Sequence, residues 1–407
     1  MNLVNPESLH HSLSRWPDVE AENLQAHDAA DRLLLEHAEP YLAQLRREGT
    51  DDGGVVVIGD RYGAITLPLL VGDGEGSGAA VRRLRVWQDL VTGEAALDAN
   101  ARRLGIAGYE RVRDDDDSDG LYGSRLLGGA RLVLLRLPKN LSELAELSEA
   151  IAKHAHPEVV VLAAGMVKHM TLSMNEVLGE YFGTVSASLA KGKARVLTAG
   201  SPRPEAGVRT FPLRERHTSL GIQEDLEIEV HAHGAVFAGT KVDIGTRFLL
   251  TFLPRLPRAG TAIDLGCGSG VLATLLAASQ PEVRVVATDV SAAAVRSARL
   301  TAQAQGVGDR VLAVHADALR GFPPASADLI LLNPPFHLGH SVHAGAALKL
   351  FQAAAEVLVP GGELWTVWNS HLGYLPALEK YVGPTETLGR NRKFTVTRSR
   401  RQVALPA

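Results

Sequence analysis

Cysteine is nearly absent from the sequence: Cys267 is the only one among 407 residues. One thiol excludes an intramolecular disulfide and fits a reducing cytosol. Long apolar runs are also absent, and residues 1–22 are mixed polar, which disfavours a membrane-spanning helix and a signal peptide. We therefore expect a cytoplasmic protein with no membrane partner.

An excess of charge is missing too, since the formal net charge is -4 at pH 7. Any binding of nucleic acid must therefore depend on local basic patches rather than on the charge of the whole chain. With 45% hydrophobic and 22% charged residues, the composition is typical of a globular protein. A length of 407 residues favours two or three domains over one.

Short patterns in the first half of the chain recur in the second half. The pattern Leu-x-x-Tyr-x-Gly at residues 178–183 appears again at residues 378–383. Three more pairs of segments follow the same order in both halves: 55–60 with 261–266, 131–140 with 327–336, and 158–162 with 363–367. Alternating strand and helix patterns favour parallel sheets. We therefore predict two tandem α/β domains with a Rossmann-like fold, related by duplication: residues 1–198 and 230–407, joined by a linker at 199–229.

The second half carries a glycine-rich turn between a strand pattern and a helix pattern. Asp264, Gly266, Gly268 and Gly270 follow the spacing Asp-x-Gly-x-Gly-x-Gly. Glycines let the backbone approach a ligand closely, and the amides of the following helix favour an anionic group. A dinucleotide fingerprint requires Gly-x-Gly-x-x-Gly, and counting from Gly266 places Val271 at the third position, so NAD is disfavoured.

Two carboxylates follow later strand patterns of the second half. Asp289 comes after an apolar run at 283–288, and Asp317 comes after one at 311–314. Asp289 can accept hydrogen bonds from two ribose hydroxyls, or it can cap the next helix. Asp317 can accept a bond from an adenine amine. Since the ends of parallel strands line one crevice, both carboxylates are candidate ligand contacts.

A fourth apolar strand pattern ends in residues 333–336, Asn-Pro-Pro-Phe. The prolines remove two backbone donors, so the corner presents mainly acceptors, above all the side-chain oxygen of Asn333. Both hydrogens of a planar amine can bond there, and Phe336 offers a ring for stacking. Alone, such a corner is more simply a structural turn, but after the glycine-rich turn it indicates an amine-methylating site. His337 can accept the amine proton, or it can pack or cap.

The first half lacks both patterns. Residues 59–63 have no closely spaced glycine series, and Leu-Pro-Lys at 137–139 stands where the second half has its Asn-Pro-Pro corner. We therefore predict that the N-terminal domain is a degenerate copy, retained for binding or for shape.

The spacing at residues 264–270 resembles motif I of class I S-adenosylmethionine-dependent methyltransferases, and the corner at 333–336 resembles the members that methylate amino groups. Nearly the whole chain is similar to the paired-domain ribosomal RNA guanine-N2 methyltransferases of that class. The stretches that carry this similarity are 60–64, 137–139, 189–193, 234–237, 242–246, 333–337, 361–365 and 369–372. The large-subunit (23S) branch matches better than the small-subunit (16S) branch, although Lys-Gly-Lys at 191–193 departs from the adjacent lysines common there.

This resemblance implies that the C-terminal domain binds S-adenosylmethionine, needs no metal, and methylates guanine N2 in ribosomal RNA, 23S rather than 16S, leaving S-adenosylhomocysteine. It implies that the degenerate class I methyltransferase domain engages the RNA, and we expect a monomer. The expected cofactor-binding residues are Asp264, Gly266, Gly268, Gly270, Asp289, Val290, Ala316, Asp317 and Asn333. The expected catalytic residues are Asn333, Pro334, Pro335 and Phe336. Candidate phosphate contacts, each as readily a solvated surface charge, are Arg203, Arg209, Arg214, Arg216, Arg390, Arg392, Lys393, Arg398, Arg400 and Arg401.

Other functions stay open on the sequence alone. A protein glutamine amide or another nucleobase amine presents a similar planar nitrogen, but Phe336 and an α/β first half disfavour the glutamine enzymes. A small-molecule methyltransferase leaves the second domain without a purpose. An RNA-binding or assembly factor with vestigial domains fits the first half only.

Overall fold

The chain folds as two compact units, Met1–Phe211 and Pro212–Ala407. A computed structural model describes residues 6–21, 24–49, 52–71, 81, 83–113, 120–204, 210–220, 227–335 and 340–402. Each unit is α/β with one seven-stranded sheet, so the predicted fold class of two tandem α/β domains is confirmed.

Unit 1 is a mostly parallel sheet with helices between its strands. Its elements are α1 (Pro6–His11), α2 (Ala29–Glu48), β1 (Asp52–Ile58), α3 (Thr66–Val71), β2 (Arg83–Trp87), α4 (Val91–Leu104), β3 (Tyr109–Arg111), α5 (Ser124–Leu127), β4 (Leu132–Arg136), α6 (Leu141–His154), β5 (Val160–Met166), α7 (Ser173–Tyr181), β6 (Phe182–Ala187) and β7 (Ala194–Pro202). The strand order is β3-β2-β1-β4-β5-β7-β6, and β7 runs antiparallel to both of its neighbours.

Unit 2 repeats this architecture after a short hairpin. Its elements are β8 (Leu213–His217), β9 (Ile228–Ala232), α8 (Ile244–Leu250), β10 (Thr261–Leu265), α9 (Val271–Ser279), β11 (Arg284–Asp289), α10 (Ala292–Ala304), β12 (Val311–His315), β13 (Ala327–Leu332), α11 (His340–Val357), β14 (Leu358–Asn369), α12 (Leu375–Tyr381), β15 (Thr385–Arg390) and β16 (Phe394–Arg400). Its strand order, β12-β11-β10-β13-β14-β16-β15, matches unit 1 position for position. The expected linker, residues 199–229, contains the end of β7, all of β8 and the start of β9.

The central strand β13 is buried on both faces. Leu329 and Leu331 pack into one apolar core, whereas Ile330 and Leu332 pack into another, and none is more than 1% exposed. Strands of a parallel sheet covered by helices on both sides read as continuous apolar runs for this reason. Strand β4 of unit 1 is divided between two cores in the same way.

In unit 2 the chain runs outward from β10 through β11 and β12, and then returns to the other side of β10 with β13. In open parallel sheets, ligands bind outside the carboxyl ends of the strands at such a point of reversal. No helix in the described part of the chain is long and apolar enough to cross a membrane.

Glycine is required where helix α9 packs on α10. Gly270 is the N-cap residue of α9 with a φ of 78°, and a Cβ built there would lie 2.6 Å from the Cα of Ala298. We expect Gly270→Ala to lower the free energy of unfolding by about 2 kcal/mol or more, because it combines backbone strain with a clash against main chain. Denaturant unfolding followed by circular dichroism measures the change.

Gly306→Ala is the matched control, because Gly306 has a φ of 72° but no described atom within 4 Å of its built Cβ. Gly306→Ala should lower the free energy of unfolding by about 1 kcal/mol, from backbone strain alone. Equal losses for the two variants would contradict the packing role of Gly270.

Candidate active site

The sheet register of unit 2 brings distant residues together at one edge. The last residue of β10 pairs with Thr288 on one side and Leu332 on the other. The residues that follow these positions, Gly266, Asp289 and Asn333, therefore adjoin at the carboxyl edge of the sheet. This is the edge at which the sequence predicts a ligand.

The glycine-rich turn after β10 is open and firmly held. Gly266 and Gly268 have φ values of 76° and 53°, and no described atom lies within 4 Å of a Cβ built on either. The amides of Gly266 and Cys267 donate to the carbonyl of Thr288 at 2.8 and 3.0 Å. Because glycine has no side chain, the turn leaves space for a ligand above Gly266 and Gly268. Gly270 has the packing role described above, and its contact with a cofactor stays a prediction.

Asp289 ties the glycine-rich turn to the next helix. Its Oδ2 accepts from the amide of Gly268 at 3.0 Å, and its Oδ1 accepts from the amide of Ser291 at 3.0 Å. Ser291 itself caps α10. Burial raises the pKa of Asp289, and these amide bonds oppose that rise. A carboxylate has about four acceptor positions, so Asp289 retains capacity for two ribose hydroxyls.

Asp264 lies beneath the turn and is 1% exposed. Its Oδ2 accepts from the amide of Ala273 in α9 at 2.9 Å, whereas its Oδ1 has no hydrogen-bond partner among the described residues. Burial raises the pKa of Asp264 to about 7, and the nearby charge of Asp289 contributes to the rise. An unused buried acceptor beside an open turn fits a ligand that carries a cationic amine.

Val290 and Ala316 lie on neighbouring loops that are tied together. His315 donates from Nε2 to the carbonyl of Val290 at 2.8 Å, and the amide of Ala316 donates to the carbonyl of Asp289 at 2.9 Å. The two predicted cofactor contacts therefore adjoin Asp289, at the ends of β11 and β12.

Asp317 is occupied by an ion pair. Lys349 on α11 contacts its two carboxylate oxygens at 2.6 and 2.5 Å. An adenine amine bound at Asp317 must therefore share this carboxylate with Lys349. That Asp317 binds the adenine amine of the cofactor therefore stays a prediction.

Asn333 is held by two acceptors from the segment that begins α8. Its Nδ2 donates to Asp243 Oδ2 at 3.1 Å and to Thr246 Oγ1 at 3.0 Å. A carboxylate accepts but does not donate, so the Asn333 amide nitrogen must face Asp243 and its oxygen must face away. The carboxylate of Asp243 therefore fixes which way the Asn333 amide faces.

The oxygen of Asn333 is an unused acceptor. Asn333 Oδ1 is buried and has no partner among the described residues. A Cβ built on Gly245 would lie 3.4 Å from that oxygen and 3.0 Å from Asp243 Oδ2, so glycine at 245 keeps the group uncrowded. Of the neighbouring corner, Pro334 is buried and Pro335 is exposed.

Phe336 and His337 lie outside the described residues, so the predicted stacking by Phe336 stays a prediction.

The only cysteine of the sequence, Cys267, is buried beside the glycine-rich turn. Burial raises the pKa of the Cys267 thiol well above its usual value, which keeps it neutral. Among the described residues, no three His, Cys, Asp or Glu side chains come together as a metal site.

The equivalent edge of unit 1 is filled by the chain itself. Asp60 follows β1 and is 2% exposed. Its two oxygens accept four backbone amides at 2.7 to 3.0 Å, those of Gly63, Ala64, Ile65 and Thr66. The amides that begin helix α3 are therefore consumed internally, and so is the acceptor capacity of the carboxylate. This carboxylate of unit 1 therefore has little capacity left for a ligand, which is consistent with the prediction of a degenerate copy.

The candidate phosphate contacts differ in how far they are already engaged. Ion pairs or carbonyl bonds hold Arg203, Arg216, Arg398, Arg400 and Arg401. Exposed side chains without an ion pair among the described residues are Arg214, Arg390, Arg392 and Lys393. Arg209 lies outside the described residues.

Sequence reasoning did not assign Asp243 and Thr246 to the site. Asp243 caps α8, accepting from the amides of Gly245 and Thr246 at 2.8 and 3.3 Å. An Asp directly before an apolar helical pattern is a readable helix start. Its bond to Asn333 links segments 90 residues apart, which a local pattern does not reveal.

Two family models match the chain. The Methyltransferase small domain matches residues 227–398, and the RLMG N-terminal domain matches residues 1–203.

Curated relatives match nearly the full length of the chain. Ribosomal RNA large subunit methyltransferase G of Streptomyces avermitilis is 36% identical over 96% of both chains. The protein of the same name from Pseudomonas putida is 36% identical over 96% of this chain and 97% of its own.

A solved structure shares the fold across both domains. The 16S rRNA guanine-N2 methyltransferase of T. thermophilus, in complex with AdoMet and guanosine, has a TM-score of 0.72 at 22% identity. The match covers 98% of this chain and 100% of that one.

The raised pKa of Asp264 makes stability depend on pH. The carboxyl has a pKa of about 7 when folded and an ordinary value near 3.8 when unfolded. Between these values only the folded state holds the proton, so stability falls as pH rises toward about 7 and then levels off. We expect wild type to lose stability relative to Asp264→Asn across this window, measured by urea unfolding without cofactor. A difference independent of pH would contradict the assignment.

Proposed function

The chain belongs to the ribosomal RNA large subunit methyltransferase G family, and on this premise we propose that it methylates the exocyclic N2 amine of a guanine in 23S ribosomal RNA, using S-adenosylmethionine. One observation carries the chemistry: the oriented and unused oxygen of Asn333. We propose that residues 230–407 hold the reaction, that residues 1–198 engage RNA, and that the protein acts as a cytoplasmic monomer.

The cofactor fits the edge formed by β10, β11 and β12. Gly266 and Gly268 leave room for the methionine part of S-adenosylmethionine, and Asp264 Oδ1 can accept a hydrogen bond from the ammonium group of that part. Asp289 can accept from ribose hydroxyls, and Asp317 can accept from an adenine amine. Bound S-adenosylmethionine supplies a methyl group on a sulfonium, which is transferred by in-line displacement without a metal.

Asn333 makes the guanine amine reactive. The N2 lone pair of guanine is delocalised into the ring, so a planar amine is a poor nucleophile. Acceptance of its two hydrogens by Asn333 Oδ1 and the Pro334 carbonyl favours a pyramidal nitrogen whose lone pair faces the methyl group. These bonds strengthen as positive charge develops on the nitrogen, which is preferential stabilisation of the transition state.

Asp243 strengthens this acceptor from behind. A carboxylate bonded to Asn333 Nδ2 polarises the amide and increases the negative charge on its oxygen. In the transfer, the N2–methyl bond would form as the sulfur–methyl bond breaks, which leaves S-adenosylhomocysteine, and the amine would then lose one proton to solvent. That proton is acidic after methylation, so no strong base is needed before attack.

Guanine N2 is paired within an RNA helix, so the target base must be single-stranded or turned out of the helix. A separate RNA-engaging domain is consistent with this need.

The direct test is product analysis. Incubation with labelled S-adenosylmethionine and unmodified 23S RNA, 16S RNA or subunits, followed by digestion to nucleosides, should give N2-methylguanosine from 23S RNA. Label found only in protein would falsify the proposal, and label only in 16S RNA would move the chain to the other branch.

Asn333→Ala is expected to abolish turnover, because it removes the acceptor that acts in the transition state. Affinity for S-adenosylmethionine, measured by calorimetry, should stay within a few fold of wild type. Asp289→Ala is the comparison, since it should weaken that affinity. Equal losses of affinity in the two variants would show that Asn333 serves the cofactor instead.

Thr246 tests whether orientation of the Asn333 amide matters. Thr246→Val keeps the shape but removes the Oγ1 acceptor, and we expect kcat to fall between about tenfold and a hundredfold with KM for S-adenosylmethionine unchanged. Thr246→Ser retains the acceptor and should keep wild-type turnover. If Ser and Val behave alike, the hydroxyl has no positioning role.

A further inference from the structure

A second cleft opens in unit 2 beside Asn333, on the side away from the predicted cofactor residues. It has a volume of about 480 Å³ and is lined by Phe237, Asp243, Ile244, Asn369, Ser370, His371, Arg392, Lys393 and Phe394. We infer that this cleft binds the RNA nucleotide that flanks the target guanine, with its base stacked on Phe237 and its phosphate held by Arg392 and Lys393. This inference rests on the proposed function.

The order of the strands sets the direction of approach. The predicted cofactor residues follow β10, β11 and β12, whereas the cleft lies at the ends of β14 and β16. Asn333 follows β13, which lies between these two groups of strands. The target amine must face the methyl donor, so the rest of the RNA chain must lie on the other side of that amine. The RNA therefore extends from Asn333 toward the cleft.

Two large apolar side chains stand exposed at the cleft. Phe237 is 56% exposed and Ile244 is 59% exposed. Exposure of an aromatic ring beside an aliphatic one provides a stacking surface that accepts any base. Ile244 begins α8 and directly follows Asp243, so the surface is continuous with the residues that hold Asn333.

The charges of the cleft fit a phosphate. Arg392 and Lys393 are exposed and belong to the turn between β15 and β16, where Asn391 Oδ1 accepts the amides of Lys393 and Phe394 at 2.9 and 2.8 Å. The amide of Ser370 also donates to the Lys393 carbonyl at 2.7 Å, so the turn is fixed to the end of β14. Cations on a fixed turn beside an aromatic face are the combination that binds single-stranded nucleic acid.

The lining of the cleft has one carboxylate, Asp243, against two cations, Arg392 and Lys393. Asp243 Oδ2 accepts from Gly245, Thr246 and Asn333, so this oxygen is directed toward α8 and Asn333. The described side chains of the cleft therefore keep an excess of positive charge.

The experiment measures steady-state methylation of unmodified 23S RNA by full-length variants. Phe237→Ala should raise KM for RNA about tenfold, with KM for S-adenosylmethionine unchanged, because one base loses its stacking partner. Phe237→Trp retains an aromatic face and should keep KM for RNA near the wild-type value. Leu312→Ala removes another exposed apolar side chain of unit 2 and serves as the matched control.

The cations are tested by salt dependence. The double variant Arg392→Ala, Lys393→Ala should raise KM for RNA and reduce the slope of log KM against log salt by about 1 for each lost phosphate contact. Arg284→Ala is the control, because Arg284 is exposed at the opposite, amino end of β11. An equal effect of Arg284→Ala would overturn the assignment.

The flanking nucleotide is tested directly once the modified guanine has been located. Two transcripts are compared, one with an abasic site 5′ of the modified guanine and one with an abasic site 3′ of it. For wild type, only one of the two should show a raised KM. On that transcript, Phe237→Ala should raise the KM no further, because the base that stacks on Phe237 is already missing. Additive losses, or an unchanged KM for Phe237→Ala on intact RNA, would overturn the inference while leaving the proposed function intact. Wild type that labels protein instead of RNA would overturn both.

Discussion

Parallel pairing of β10 with β11 on one side and β13 on the other is the constraint on which the site depends. Because the three strands run in the same direction, the residues after each of them meet at one edge. The backbone bonds of the sheet and the apolar residues on its two faces hold that edge rigid. The glycine-rich turn, Asp289 and Asn333 are then only short extensions of buried strands, which is how a chain positions reacting groups within a fraction of an ångström.

The same constraint acts twice in this chain, and the two copies differ in what happens to the edge. In unit 1, Asp60 lies just after β1 and its carboxylate accepts four amides of its own chain. A glycine directly follows the first strand of the sheet in both units, but a Cβ built on Gly59 would lie 3.4 Å from Arg136, whereas one built on Gly266 would meet no described atom within 4 Å. The two units share the sheet, because the sheet forms the core, and they differ at the edge where its parallel strands end.

The acceptors at the proposed amine site form two layers, one that holds Asn333 and one that Asn333 offers to a ligand. A carboxylate and a hydroxyl hold the nitrogen of Asn333, and its oxygen is kept for a ligand. A buried acceptor without a partner destabilises the folded protein by about 1–3 kcal/mol, and a bound amine relieves that cost. Asp243 also caps α8 and lines the second cleft, so the proposed amine site, a helix start and the proposed RNA surface share one side chain.

The sequence by itself determined the two α/β domains, the strands that lead to the candidate site, and the residues at their ends, because apolar runs and glycine spacing are local signals. It also singled out Asn333 and the carboxylates Asp264, Asp289 and Asp317. Tertiary structure alone decided which groups are already engaged: Asp317 by Lys349, Asn333 by Asp243, and the edge of unit 1 by Asp60. The bonds of Asp317 and Asn333 join segments that only the fold brings together, whereas those of Asp60 are local but have no distinctive sequence pattern. A hydrogen bond depends on distance and direction in space, which local patterns in a chain do not encode.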